Sequence, residues 1–170
     1  AGTEAWWPAR RDYRTQCGFG HVHVSEGKTK GKEMRLKSLK LNQFKNYEEV
    51  SLNFNGNVHC FYGNNGAGKT NILDAIHYLS FTKSYFGGSD QNCIRFGYEF
   101  FAINGEFEMA SGVNEKVSVS VKSGSEKKVK RNDKEYQRFS EHIGAFPVVM
   151  ITPGDIDLIN NAAETRRRFF

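Results

Sequence analysis

From Met34 onward, apolar and polar residues follow short, regular periods. Leu39 and Leu41 alternate with polar neighbours, residues 44–49 form a polar turn, and Val50, Leu52 and Phe54 alternate again. This spacing predicts an antiparallel hairpin with one buried face. Asn55-Gly56-Asn57 reads as a second turn, followed by Val58-His59-Cys60-Phe61-Tyr62, a run so uniformly apolar that a strand in the centre of a sheet is expected. That run leads directly into a glycine-rich loop. Beyond it, Ile72, Ala75, Ile76 and Leu79 recur at three- and four-residue spacing, which predicts one apolar stripe on a helix over 69–80. A loop at 81–91 contains Gly87-Gly88. Strands are expected at 101–107 and through Val117, Val119 and Val121, with Ser123-Gly124-Ser125 turning the chain into 127–131 and Asn132-Asp133 turning it again. Ser140 is placed to cap a short helix ending near Gly144. Residues 148–151 form a second buried-strand candidate, Pro153 suits the first position of a helix, and a last helix is expected from about 162. Two buried strands among several one-faced ones predict an α/β fold, with a parallel core carrying an antiparallel β layer. No internal repeat is present.

Composition narrows the class. The chain has 170 residues, of which 38% are hydrophobic and 25% charged, and its mean hydropathy is −0.61. These values describe a globular chain with a core of its own rather than a disordered one. No apolar run approaches the roughly 20 residues of a membrane helix, so no membrane partner is expected. The net charge of +5 admits a polyanionic partner without requiring one. Cys17, Cys60 and Cys93 are odd in number, widely spaced and free of CxxC pairs, which argues against a disulfide framework or zinc site and for a reducing, cytoplasmic setting.

Residues 1–33 stand apart, with Trp6-Trp7-Pro8, Arg10, Arg11, Arg14 and the Gly/Lys/Thr run from 27 to 32. They show neither helical nor strand period. A targeting leader is disfavoured by the missing apolar core and by Glu4, Asp12, Glu26 and Glu33. The expectation is a disordered upstream or non-native leader (1–33) before a folded unit (34–170). The ends at Ala1 and at Arg166-Arg167-Arg168-Phe169-Phe170 suggest a piece of a longer protein.

Gly63-Asn64-Asn65-Gly66-Ala67-Gly68-Lys69-Thr70 satisfies G-x-x-x-x-G-K-[ST] at every fixed position. Consecutive backbone N–H groups must turn inward around a polyphosphate, and side chains at Gly63, Gly66 and Gly68 would obstruct that turn. Lys69 supplies a point charge for the β- and γ-phosphates, the Thr70 hydroxyl a ligand for Mg²⁺, and the following helix its positive end. Placement between an apolar strand and an amphipathic helix is the context this motif needs, and nucleoside triphosphate binding follows as the expectation.

With Asn65 in the loop, this segment resembles the phosphate loop of SMC/ABC-type ATPase heads. Leu39-Lys40-Leu41-Asn42-Gln43-Phe44-Lys45-Asn46-Tyr47 is similar to the opening of the RecF family of bacterial recombination and repair proteins, and Asn71-Ile72-Leu73-Asp74-Ala75-Ile76 extends the likeness. Residues 146–159 and Arg166-Arg167-Arg168-Phe169 are similar to the stretch leading into that family's helical lobe, so the likeness runs from 34 to 170. It implies an ABC/SMC-like head that forms an ATP-dependent homodimer, binds DNA at single-strand gaps and single-strand/double-strand junctions in DNA repair and the SOS response, and works with RecO and RecR. It also implies that Lys45 and Asn46 face the nucleotide from the hairpin side. The sequence contains neither a signature motif nor a Walker B strand ending in Asp-Glu, so ATPase activity is expected of a complete protein rather than of these residues alone. Asp155 lies where related heads carry a metal-linked glutamine, or it simply favours a helix start. Lys83 and Ser84 match a family-like position of unassigned role. Alternatives are another SMC-like or ABC-type ATPase, or a non-catalytic nucleotide-gated DNA-binding module.

Candidates for phosphate contact on DNA are Lys127, Lys128, Lys130, Arg131, Lys134 and Arg138, with Arg166, Arg167 and Arg168. The competing role for the first group is protection of a sheet edge, and Glu126, Asp133 and Glu135 dilute its charge. Phe54, Phe61, Phe101 and Phe107 fall on strand faces and read as core, while His59 and His77 lack paired ligands and read as structural.

Overall fold

The computed structural model describes residues 21–22, 34–109 and 111–155. Its strands are β1 (His21–Val22), β2 (Arg35–Phe44), β3 (Tyr47–Asn53), β4 (His59–Cys60), β5 (Phe100–Glu108), β6 (Asn114–Lys122), β7 (Lys128–Arg131) and β8 (Lys134–Glu135). One α-helix, α1 (Lys69–Phe81), separates β4 from β5. The apolar alternation at 39–54 becomes the β2–β3 hairpin in the register Leu39 opposite Leu52 and Leu41 opposite Val50. Six strands form one antiparallel sheet in the order β3-β2-β5-β6-β7-β8. Asn132 and Asp133 both have positive φ (49° and 66°), the left-handed pair that a two-residue hairpin loop between β7 and β8 requires.

The stripe predicted on α1 packs across one face of this sheet. Ile72, Ala75, Tyr78 and Leu79 meet Leu39, Leu41, Phe44, Phe101, Ile103, Val117, Val119 and Val129, all at most 1% exposed. Gly105 makes the close approach possible, because a Cβ there would stand 2.5 Å from Leu79 Cδ1. Phe44, Tyr78 and Phe101 form an edge-to-face triad, with centroids 5.3 Å apart for Phe44–Phe101 and 5.5 Å for Tyr78–Phe101. Phe54 and Phe107 are buried and Phe61 is half-buried, as expected of core residues. Cys93 is buried as well, which pushes its thiol up to about 11.

Three expectations are corrected. Residues 58–62 yield only the two-residue β4, which pairs with β1 outside the six-stranded sheet and leaves Val58 71% and Tyr62 67% exposed. Residues 148–151 are not a strand, and Val149 and Ile151 stand 70% and 79% exposed. A uniformly apolar strand needs cover on both faces, and no described element covers either run. Every strand pair among the described residues is antiparallel, so the part of the predicted α/β architecture they form is the antiparallel layer with α1 packed on it. The predicted helix at 140 is a single 3₁₀ turn, Phe139–Glu141, while at 153 a 3₁₀ turn, Pro153–Asp155, begins where the helix is expected and the residues after it lie outside the described ones. Apart from β1, the leader at 1–33 lies outside the described residues, as do the helix from 162 and Arg166, Arg167 and Arg168.

His142, which carries no motif, closes the core beneath α1. Its ring is fully buried, with Nε2 2.6 Å from the Leu79 carbonyl and Nδ1 without a partner. Burial holds its pKa below the ordinary 6.5. The folded state thus refuses a proton that the unfolded chain accepts. Stability is full above pH 6.5 and lost as pH falls from there through the folded pKa. Denaturant midpoints measured from pH 7.5 to 5 are expected to fall in the wild type and to fall less in His142→Gln.

Candidate functional site

The phosphate loop stands on the N-terminus of α1, where the sequence places it. Gly63, Gly66 and Gly68 all have positive φ, at 146°, 83° and 99°, and Gly68 is the residue from which the helix starts. The first helical bonds run from the Asn71 and Ile72 amides to the Gly68 carbonyl, so the amides of Lys69 and Thr70 precede the ladder and belong to the anion-binding end of the helix. An open cleft of about 260 Å³ is lined by Asn65, Gly66, Gly68, Lys69, Thr70 and Asn71. Thr70 is exposed there. Lys69 Nζ folds back to donate to the carbonyls of Gly63 (2.9 Å) and Asn64 (2.8 Å). Those acceptors are neutral, and phosphate oxygens are stronger partners for an ammonium.

These residues fit ATP with Mg²⁺. The loop backbone is already turned, a cation stands at its mouth, a hydroxyl lies in the first helical turn, and no carboxylate lines the cleft among the described residues. Bound there, the nucleotide would be held by the amides of 63–70 and by Lys69, with Thr70 toward the metal.

The β2–β3 turn braces this loop from the side. Asn46 Oδ1 accepts from Asn71 Nδ2 at 2.8 Å, and the Tyr47 hydroxyl reaches the Ala67 carbonyl at 3.4 Å. Glycine at 68 is required by its φ of 99°, and a Cβ there would also push aside the Asn46 amide and the Tyr47 hydroxyl that brace the loop. Asn46 thus adjoins the phosphate loop. Lys45 points elsewhere: its Nζ lies 2.6 Å from Oδ2 of Asp74, whose side chain is fully buried. Asp74 also accepts from Ser84 Oγ (2.8 Å) and the Tyr85 amide (2.7 Å). A carboxylate buried this deeply is costly unless paired and hydrogen-bonded, and these three donors supply both. Asp74 falls within the family-like stretch 71–76, which gives it no role of its own. The signal available in sequence was an acidic residue on the buried side of an apolar helix, with Lys45 in a turn to answer it.

Lys83 and Ser84 now have surroundings, since the Lys83 carbonyl meets His77 Nδ1 at 3.1 Å and Ser84 bonds Asp74. His77 is buried against Phe81, and burial lowers its pKa; His59 bonds the Gly56 carbonyl. Asp155 closes a turn on the Thr152 amide and hydroxyl, contacts that hold its pKa down, and it receives the Tyr85 hydroxyl.

The pleat of β7 sorts the basic candidates. Val129 is core, so Lys127 and Arg131 share its side of the strand. Lys127 reaches Asp90 at 2.7 Å and the Thr82 carbonyl at 2.6 Å, while Arg131 makes a two-pronged bond to Glu115 at 2.7 Å and lies over Phe146. Both are consumed by structure. Tyr78 donates to the same Asp90, and burial raises its pKa above the usual phenol value. Lys128 and Lys130 face the opposite, open side, which Lys40, Lys116 and Lys122 share by register. Lys134 and Arg138 are exposed.

A family model described as an AAA domain matches residues 38–158. The chain belongs to this AAA-domain family. Among its curated relatives are RecF proteins described as DNA replication and repair proteins. Those of Bacteroides fragilis and Flavobacterium johnsoniae are each 46% identical over 136 residues, and that of Porphyromonas gingivalis is 40% identical. The alignments cover 80% of this chain but only 37%, 38% and 37% of those relatives, so the chain spans little more than a third of their length. Among solved structures, a recombination mediator RecF with ATP is 28% identical with a TM-score of 0.68, covering 81% of this chain and 38% of that one. An SMC ATPase studied for ATP-driven dimerisation is 19% identical with a TM-score of 0.67, covering 79% and 95%, a likeness of fold alone. This AAA-domain chain is thus similar to RecF proteins over four-fifths of its length and shares the fold of P-loop ATPase heads.

Proposed function

We propose that the chain is the ATP-binding part of a RecF-type recombination and repair protein. The observation that carries this reading is the glycine loop turned around the N-terminus of α1, with Lys69 and Thr70 in place. ATP with Mg²⁺ occupies that loop, and nucleotide binding drives two copies together into a DNA-clamping state at single-strand gaps and single-strand/double-strand junctions. RecO and RecR are the proposed protein partners and the cytoplasm the proposed setting; no described helix is long and apolar enough to cross a membrane. Hydrolysis requires an acid to orient water. Because no described residue of the cleft is one, turnover by this chain is expected to stay at the background of a Lys69→Ala variant.

DNA contact is assigned to the open face of the sheet. The test is gel retardation of gapped DNA with ATP across a salt series. Lys128→Ala/Lys130→Ala is expected to weaken binding and to reduce the salt slope by about 1 for each phosphate no longer neutralised. Lys127→Ala is expected to lower thermal stability instead. An unchanged slope in the double variant would remove this face from the DNA site. Retardation that needs ATP but proceeds without turnover would favour a nucleotide-gated binding module over an ATPase.

A further inference from the structure

Asp74 is buried in the second turn of α1, away from the cleft, and joins three separate segments. Lys45 brings in the β2–β3 turn at 2.6 Å, while the Ser84 hydroxyl and Tyr85 amide bring in the loop that follows the helix, at 2.8 and 2.7 Å. Lys45 strengthens the same junction, its ammonium lying 5.5 Å from the centroid of Phe86 and 5.7 Å from that of Phe44. One residue along, Asn46 bonds Asn71 and abuts Gly68. The turn is therefore pinned to α1 at two levels, by Asn46 at the phosphate loop and by Lys45 one turn deeper.

We propose that Asp74 is a positioning residue that couples occupancy of the phosphate loop to the order of the loop 83–88. This rests on the ATP reading above. Asp74 touches no ligand itself. It fixes Lys45, and through the Lys45-Asn46 turn it sets the wall against which Gly68 and the first turn of α1 close. A nucleotide that tightens the loop 63–70 restrains Asn46, hence Lys45 and the Asp74 carboxylate, and hence the Ser84 and Tyr85 donors. The half-exposed Phe86 makes 83–88 the outward end of this chain of contacts, where a second macromolecule can sense it. Coupling of this kind requires an element that both ends bias, and the doubly pinned turn is that element.

The test is hydrogen exchange on the full chain with and without Mg–ATP, together with ATP titration. In the wild type, ATP is expected to protect amides of 65–70 and, in addition, those of 83–88. Asp74→Asn keeps the size of the side chain and removes its charge. It is expected to bind ATP roughly tenfold more weakly, to retain protection at 65–70 under saturating ATP and to lose it at 83–88. Asp74→Glu is expected to restore part of the distal protection. Ser84→Ala cuts only the distal branch and serves if Asp74→Asn does not fold, with ATP affinity expected within about threefold of wild type and nucleotide-dependent protection at 83–88 reduced. Distal protection that survives in Asp74→Asn, or in Ser84→Ala where that variant decides, would reduce Asp74 to a structural ion pair while leaving the ATP reading intact. Absence of any ATP-dependent protection in the wild type would overturn both.

Discussion

Replacing Lys69 with alanine is expected to abolish ATP binding at micromolar protein concentrations while leaving the fold unchanged. Among the described residues this ammonium bonds the carbonyls of Gly63 and Asn64, from a residue at the lip of an open cleft, so its removal uncovers no apolar core. With ATP bound, the same group would meet phosphate oxygens. Hydrogen bonds to charged groups contribute about 1.5–3 kcal/mol each, so loss of two is worth about 3–6 kcal/mol, or a Kd raised by roughly 10²–10⁴. Titration with a fluorescent ATP analogue checks the affinity, and far-ultraviolet dichroism with a melting curve checks the fold. An unchanged Kd in a folded variant would take the loop out of the site.

Phe101→Ala is expected to have the largest effect on stability. Phe101 is fully buried at the meeting point of β2, β5 and α1, edge-on to both Phe44 and Tyr78. Truncating a buried phenylalanine costs about 3–5 kcal/mol through lost transfer energy and the cavity left behind. Native stability is only about 5–15 kcal/mol, so the variant should unfold at a much lower urea concentration. The solvent-facing neighbour Phe100, 45% exposed, is the control, with Phe100→Ala expected to stay within about 0.5 kcal/mol of wild type. A small effect at Phe101 would mean that helix and sheet do not share this core.

The sheet was legible because its strands bury one face each. Leu39, Leu41, Val117, Val119 and Val121 alternate with polar residues, and alternation of that kind sets both strand identity and facing. The helix was legible from the 3.6-residue stripe of Ile72, Ala75 and Leu79, and the phosphate loop from glycines whose backbone demands are local. Residues 58–62 and 148–151 were misread for a related reason. A uniformly apolar run says that a strand would be covered on both sides but not by what, and no described element provides that cover.

Within the site, the place of Asn46 beside Gly68 is not written in any local pattern, since contact between a hairpin turn and a helix N-terminus is a tertiary fact. Asp74 was invisible as a functional residue: an acidic side chain at a buried helical position becomes meaningful only when Lys45, Ser84 and Tyr85 arrive from elsewhere in the chain. The basic run at 127–131 shows the opposite case. Its charge was obvious, yet only the pleat, with Val129 facing the core, separates Lys127 and Arg131, held by Asp90 and Glu115, from Lys128 and Lys130 on the open face.

Calorimetric titration of the full chain with Mg–ATP, set beside adenosine, is the most direct test of phosphate-led nucleotide binding at 63–70. Saturable one-to-one binding of Mg–ATP, with no detectable heat from adenosine, is the predicted result. No binding of Mg–ATP, or equal binding of adenosine, would contradict it.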